Sequence, residues 1–209
     1  MNTYPDLQTG GLVALYPWRS VFITLGDFRC PEHGNMAIGE VGSRWTVARH
    51  SLPGRVAVGS WIHPHTREGY LGQRAFGLNG LYIVSEQAFW RQESEKEDFR
   101  GVRAFAQWGD ADPVFSTVSR HEGGGLEWVG PVARRPKDAL GVGVTRVSLG
   151  ANYYDDDCSG RERSIESFYK VSVRKWWSVT ADLQLLSNSP QPTPATQPYA
   201  ATLRMAFSY

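Results

Sequence analysis

The stretch Tyr199-Ala200-Ala201-Thr202-Leu203-Arg204-Met205-Ala206-Phe207-Ser208-Tyr209 closes the chain and alternates without a break. One phase carries Tyr199, Ala201, Leu203, Met205, Phe207 and Tyr209. The other carries Ala200, Thr202, Arg204, Ala206 and Ser208. Successive side chains of a strand point to opposite faces, so this pattern specifies one apolar and one polar surface. The segments before it obey the same rule. Trp177, Val179, Ala181, Leu183 and Leu185 stand against Ser178, Thr180, Asp182 and Gln184. Tyr169, Val171 and Val173 oppose Lys170, Ser172 and Arg174; Val102, Ala104, Ala106 and Trp108 oppose Arg103, Phe105 and Gln107. Helical periodicity is nearly absent.

Extending this reading predicts eleven strands, near 11–18, 20–27, 36–49, 54–63, 77–91, 100–109, 115–130, 138–150, 163–174, 176–187 and 198–209. They take up almost all of the 209 residues, and no Pro-, Gly- or Ser-rich linker divides them, so one sheet-built domain over 1–209 is expected. Composition narrows the class. With 22 basic and 21 acidic residues the net charge is +1, which excludes nucleic-acid binding by a bulk positive field. A hydrophobic share of 41% excludes an acidic disordered chain. No apolar run approaches the roughly 18 residues of a membrane-spanning helix. That excludes a helical membrane protein and leaves a barrel open. Residues 1–10 show no charged start followed by an apolar run, so no secretory signal is expected within them.

The connections alternate in character. On the side of the C-terminus, turns fall near Arg19, Ser51–Gly54, Gln92–Phe99, Pro131–Lys137 and Lys175. The opposite side, with Asp27–Asn35, Pro64–Ala75, Asp110–Val114, Ala151–Glu162 and Ser187–Gln197, is mostly longer. Short turns at one end and longer loops at the other are the anatomy of an outer-membrane barrel whose short side is periplasmic. Trp18, Trp90, Trp128, Trp176 and Trp177 fall at the short-turn ends, Trp61 and Trp108 near the opposite ends, and Trp45 stands outside the pattern. Indole rings favour the membrane–water boundary; Trp18, Trp90, Trp108, Trp128, Trp177 and Tyr209 are the expected interface aromatics. A soluble β-sandwich would bury the same tryptophans between sheets, but the full charges on the polar phase favour a lumen. The expected fold is an all-β, antiparallel transmembrane barrel of porin type.

The apolar stripe ending on Tyr209 resembles the assembly signal of outer-membrane proteins, which implies the barrel assembly machinery as a partner of the last strand. Four internal segments carry a closer resemblance. Trp177-Ser-Val-Thr-Ala-Asp-Leu-Gln-Leu185 is similar to the penultimate-strand motif of carbohydrate-selective porins of the OprB type. Pro136-Lys-Asp-Ala-Leu-Gly-Val-Gly-Val144 resembles that family's hairpin exit, with Lys137-Asp138 where two acids are common. Gly80-Leu-Tyr-Ile-Val-Ser-Glu-Gln87 and Trp61-Ile-His63 match two further strands, all in family order from about residue 36 to 209. The resemblance implies a barrel of about sixteen strands behind a signal peptide, so the chain is expected to be the C-terminal portion of one. It also implies passive, carbohydrate-preferring diffusion across the outer membrane of a Gram-negative bacterium, with small carbohydrates, membrane lipid and lipopolysaccharide as partners, no cofactor and no nucleic acid.

The polar phase then projects Glu40, Arg44, Arg103, Gln107, Glu127, Asp182, Gln184 and Arg204 toward water, with Trp61 and Phe105 as ring faces for sugars. Carboxylates and guanidinium forks suit hydroxyls that both donate and accept. The plain alternative is a set of lumen residues that tie neighbouring strands together. No family constriction motif can be matched residue by residue. A disulfide between Cys30 and Cys158, a metal site from Cys30, His33, His63 and His65, and a cation on Asp155, Asp156 and Asp157 rank below solvated loops. Gly123-Gly124-Gly125 lacks what a phosphate loop needs, and no base is oriented toward Ser119 by His121, so no catalytic or metal residues are expected. An outer-membrane barrel enzyme and a soluble carbohydrate-binding β-sandwich are the competing functions.

Overall fold

A computed structural model describes residues 9–30, 34–47, 52–68, 72, 74–92, 100–150, 160–187 and 199–207. It contains eleven strands: β1 (Thr9–Trp18), β2 (Val21–Cys30), β3 (Gly34–Val47), β4 (Leu52–Glu68), β5 (Arg74–Arg91), β6 (Gly101–Ala111), β7 (Val118–Val129), β8 (Ala139–Leu149), β9 (Arg161–Arg174), β10 (Trp177–Ser187) and β11 (Tyr199–Phe207). They form one antiparallel sheet in strict sequence order, so every connection joins neighbours. Among the described residues β1 and β11 each pair on one side only, and no helix is long and apolar enough to cross a membrane.

The register fixes which residues share a face. On β10 and β11, Leu183 lies opposite Ala201, Ala181 opposite Leu203 and Val179 opposite Met205; Asp182 meets Thr202, and Thr180 meets Arg204. Exposure is inverted relative to a water-soluble sheet. Leu203, Met205 and Phe207 are 67, 57 and 65% exposed, whereas the polar-phase Asp182 and Gln184 are half-buried. No second layer covers the apolar phase among the described residues. Apolar surface of this extent is held out of water at about 25 cal/mol per Å², so a lipid-facing exterior accounts for it and a sandwich does not.

Several boundaries differ from the sequence expectation for local reasons. β4 and β5 continue to Glu68 and Arg74, with a register shift between His63 and Thr66. The shift absorbs Pro64, which cannot donate to a ladder; residues 64–68 and 74–75, expected in a loop, are strand. β7 starts at Val118 because Asp112 caps a turn: its carbonyl accepts from the Ser116 N–H at 2.9 Å and its Oδ1 from the Val114 N–H at 2.8 Å. Trp45 does not stand outside the tryptophan pattern. It lies two residues from the short-turn end of β3, on the apolar phase, and its Nε1 donates to Gln87 Oε1 at 2.8 Å.

Two short-turn ends are strongly built. Between β7 and β8, Gly130 takes φ +76°, a left-handed conformation that favours glycine. Asp138 follows, 1% exposed, and accepts from Arg135 Nε at 2.5 Å, Tyr169 Oη at 2.7 Å and the Ser172 N–H at 3.0 Å. Burial raises the Asp138 pKa, but the hydrogen bonds from Arg135, Tyr169 and Ser172 and the Arg135 charge outweigh it and hold the carboxyl below its ordinary value. At the β9–β10 turn, Trp177 stacks on Phe207 at 6.1 Å and 8°, with Trp176 6.4 Å from Trp177.

Candidate functional site

All ten residues expected to line a lumen fall on the polar phase. Directly opposed residues run Arg44, Arg55, Glu86, Phe105, Gly125, Gly143, Glu166, Gln184 and Ala200 as one row across β3 to β11. A neighbouring row holds Arg103, Glu127, Gly141, Phe168, Asp182 and Thr202. Glu40, Gln107, Trp61 and Arg204 occupy parallel rows of the same face.

Three polar clusters result. In the first, Glu40 accepts from Arg55 Nη2 at 2.9 Å and from Tyr82 Oη at 3.1 Å. Arg44, directly across from Arg55, lies 4.8 Å from the Phe22 ring centroid and Arg55 5.0 Å from it, so one buried ring faces two guanidiniums. In the second, Arg103 pairs with Glu127. In the third, Gln184 Nε2 donates to Glu166 Oε2 at 3.2 Å, with Asp182 in the adjoining row of the same face. The sequence reading placed Glu40 and Arg44 but missed Phe22, Arg55, Tyr82, Glu166 and Phe168.

The aromatic residues of this face follow one rule that a single strand cannot reveal. Phe28 lies opposite Gly10, Phe22 opposite Gly42, Trp61 opposite Gly80, Tyr82 opposite Gly59, Phe105 opposite Gly125 and Phe168 opposite Gly141. A Cβ placed on any of these glycines would run into the opposing ring. Each ring therefore lies across the bare backbone of its neighbour, and bulk that would block a lumen is folded against the wall.

The expected interface aromatics Trp18, Trp90, Trp108, Trp128 and Trp177 all take the apolar phase. Tyr209 lies outside the described residues, as do His33, Cys158 and Asp155 to Asp157; only the backbone of Cys30 and His65 is described. The Ser119 hydroxyl donates to the carbonyls of Ser148 and Leu149 at 3.1 and 3.3 Å.

An antiparallel sheet with an apolar outer phase, a charged inner phase and short turns at one end defines the wall of a porin-type β-barrel. The model of the carbohydrate-selective porin, OprB family, matches residues 28–209, and the chain belongs to that family. It is similar to Porin B of Pseudomonas aeruginosa, 24% identical over an alignment of 127 residues, with 52% of this chain and 28% of that protein covered. Among solved structures, OprB of Pseudomonas putida at high pH superposes with a TM-score of 0.72 at 20% identity, covering 94% of this chain and 56% of that one. Its low-pH structure gives 0.66 at 21%, covering 100% and 57%. The chain thus spans little more than half the length of the solved structures it resembles.

Proposed function

We propose that the chain forms wall and lumen of an outer-membrane channel for passive diffusion of small carbohydrates, and that it is a conduit rather than an enzyme. The observation that carries this reading is the set of six rings held over glycines, interleaved with carboxylates and guanidiniums. A pyranose has one apolar face and a rim of hydroxyls. Flat rings receive the first, and Glu40, Arg44, Arg103, Gln107, Glu127, Asp182, Gln184 and Arg204 exchange hydrogen bonds with the second. Conduction needs many weak contacts, and half-solvated lumen groups supply them. Membership of the OprB family and the similarity to Porin B of Pseudomonas aeruginosa support the same assignment. The lipid-facing aromatics Trp18, Trp90, Trp108, Trp128 and Trp177 hold the barrel at the interfaces, the terminal Tyr209 is assigned the same role from the sequence pattern alone, and the last strand is the segment offered to the assembly machinery.

The test is reconstitution of the full chain in liposomes, with swelling rates in isosmotic glucose and in a neutral amino acid of similar size. Faster swelling in glucose, reduced by Trp61→Ala with Tyr82→Ala, is expected. Equal rates for both solutes, or no swelling at all, would overturn the proposal.

A further inference from the structure

The apolar face ends, toward the longer loops, in an arginine cluster that a water-filled lumen does not require. Register places Trp108, Glu122, Arg146 and Arg163 in one row across β6 to β9, and Asp110, Arg120, Ser148 and Arg161 in the next row outward. All of these share the phase of the lipid-facing residues. The row on the other side of Arg146 holds Ala106, Gly124, Val144, Ile165, Leu185 and Tyr199, with no charge in it. Four guanidiniums and two carboxylates are thus gathered where the apolar band stops.

Their pairing is incomplete. Arg120 bonds to Asp110 at 3.0 Å. Among the described residues Arg146, Arg161 and Arg163 make no ion pair, although Glu122 stands across the ladder from Arg146. Arg146 and Arg163 instead face each other directly. Like charges directly opposed on a sheet face are unfavourable, and an anion between them turns that repulsion into attraction. Guanidinium forks match phosphate oxygens in geometry as well as charge.

From this juxtaposition we infer that Arg146, Arg161 and Arg163, flanked by Arg120, hold the phosphate of a phosphorylated lipid of the outer leaflet, whose acyl chains descend over Val144, Ile165 and Leu185. A lipid is favoured over a free anion because the charged rows adjoin an uncharged, exposed apolar surface with no intervening polar row. The inference rests on the proposed membrane orientation of this face.

The experiment is native mass spectrometry of the full chain released from detergent, with diphosphorylated lipid A, its dephosphorylated form or inorganic phosphate added in parallel. A retained adduct is expected only with the diphosphorylated lipid. Arg146→Gln, Arg161→Gln and Arg163→Gln combined should weaken retention by about a hundredfold. Arg163→Glu, which places an opposite charge across from Arg146 and keeps the ladder electrostatically sound, should also lose the adduct while retaining heat-resistant folding on gels. Undiminished retention by folded Arg163→Glu, or displacement of the lipid by millimolar inorganic phosphate, would overturn the assignment. Conductance separates the two readings: a chain that conducts but retains no lipid refutes only the lipid site, whereas a chain that neither inserts nor conducts refutes the channel.

Discussion

Asp138 shows how much one buried carboxyl can organise. It joins the β7–β8 turn to β9 through Arg135, Tyr169 and the Ser172 N–H, while Ser172 Oγ donates to the Lys137 carbonyl at 2.8 Å. Its pKa is depressed below the ordinary 3.8, so its stabilisation is complete above that value and disappears as the pH falls through the lower folded value. Asp138→Asn should cost about 1–3 kcal/mol at neutral pH and flatten the acid limb of the stability curve, read by urea unfolding in lipid at successive pH values. The acid was visible in the Pro136–Val144 motif, but Tyr169 and Ser172 were not recognisable as its partners, because they come from β9, 31 and 34 residues later. Glycine 59 gives a second residue-level test. Gly59→Ala should push the Tyr82 ring off the wall and lower glucose flux severalfold, whereas Gly39→Ala, whose Cβ would meet only Leu25 at 3.5 Å on the apolar phase, should leave flux unchanged.

The eleven strands were legible because alternation is a property of one strand alone, and their order follows from short connections. Legibility failed where a strand is apolar on both phases. Leu81, Ile83, Tyr82 and Val84 give no contrast, so Tyr82 went unassigned; Phe168 is an apolar residue on the polar phase and was passed over for the same reason. Arg55, beside Gly54 at a predicted strand start, carried no phase of its own, and its value comes from Glu40 across the ladder. A search for aromatic residues opposed to glycine on the next strand would have found the rings. The β10–β11 hairpin makes its own prediction. Trp177 and Phe207 close the short-turn end together with Trp176, so Trp177→Ala should lose about 0.5–1.5 kcal/mol for each aromatic pair broken. A double-mutant cycle with Phe207→Ala, followed by tryptophan fluorescence during unfolding, measures that coupling.

Taken whole, the sheet is defined by which phase meets lipid, and one pair of adjacent substitutions tests it. Leu203→Arg, at the centre of β11 on the apolar phase, should destabilise the lipid-embedded protein by about 2–4 kcal/mol, whereas Thr202→Arg, one residue away on the polar phase, should cost far less. Equal penalties in reversible unfolding from bilayers would mean that the faces are misassigned. The ring-and-glycine pairs bear on how such a molecule reaches this state. Each joins two successive strands: β1 to β2, β2 to β3, β4 to β5 twice, β6 to β7 and β8 to β9. A slip of one residue between partners would part the rings from the glycines they cover, and for Phe22, Trp61, Tyr82 and Phe168 it would set the ring against a side chain in either direction. The pairs therefore work like wards in a lock, admitting one alignment of neighbouring strands and obstructing its near misses while the wall is being laid down.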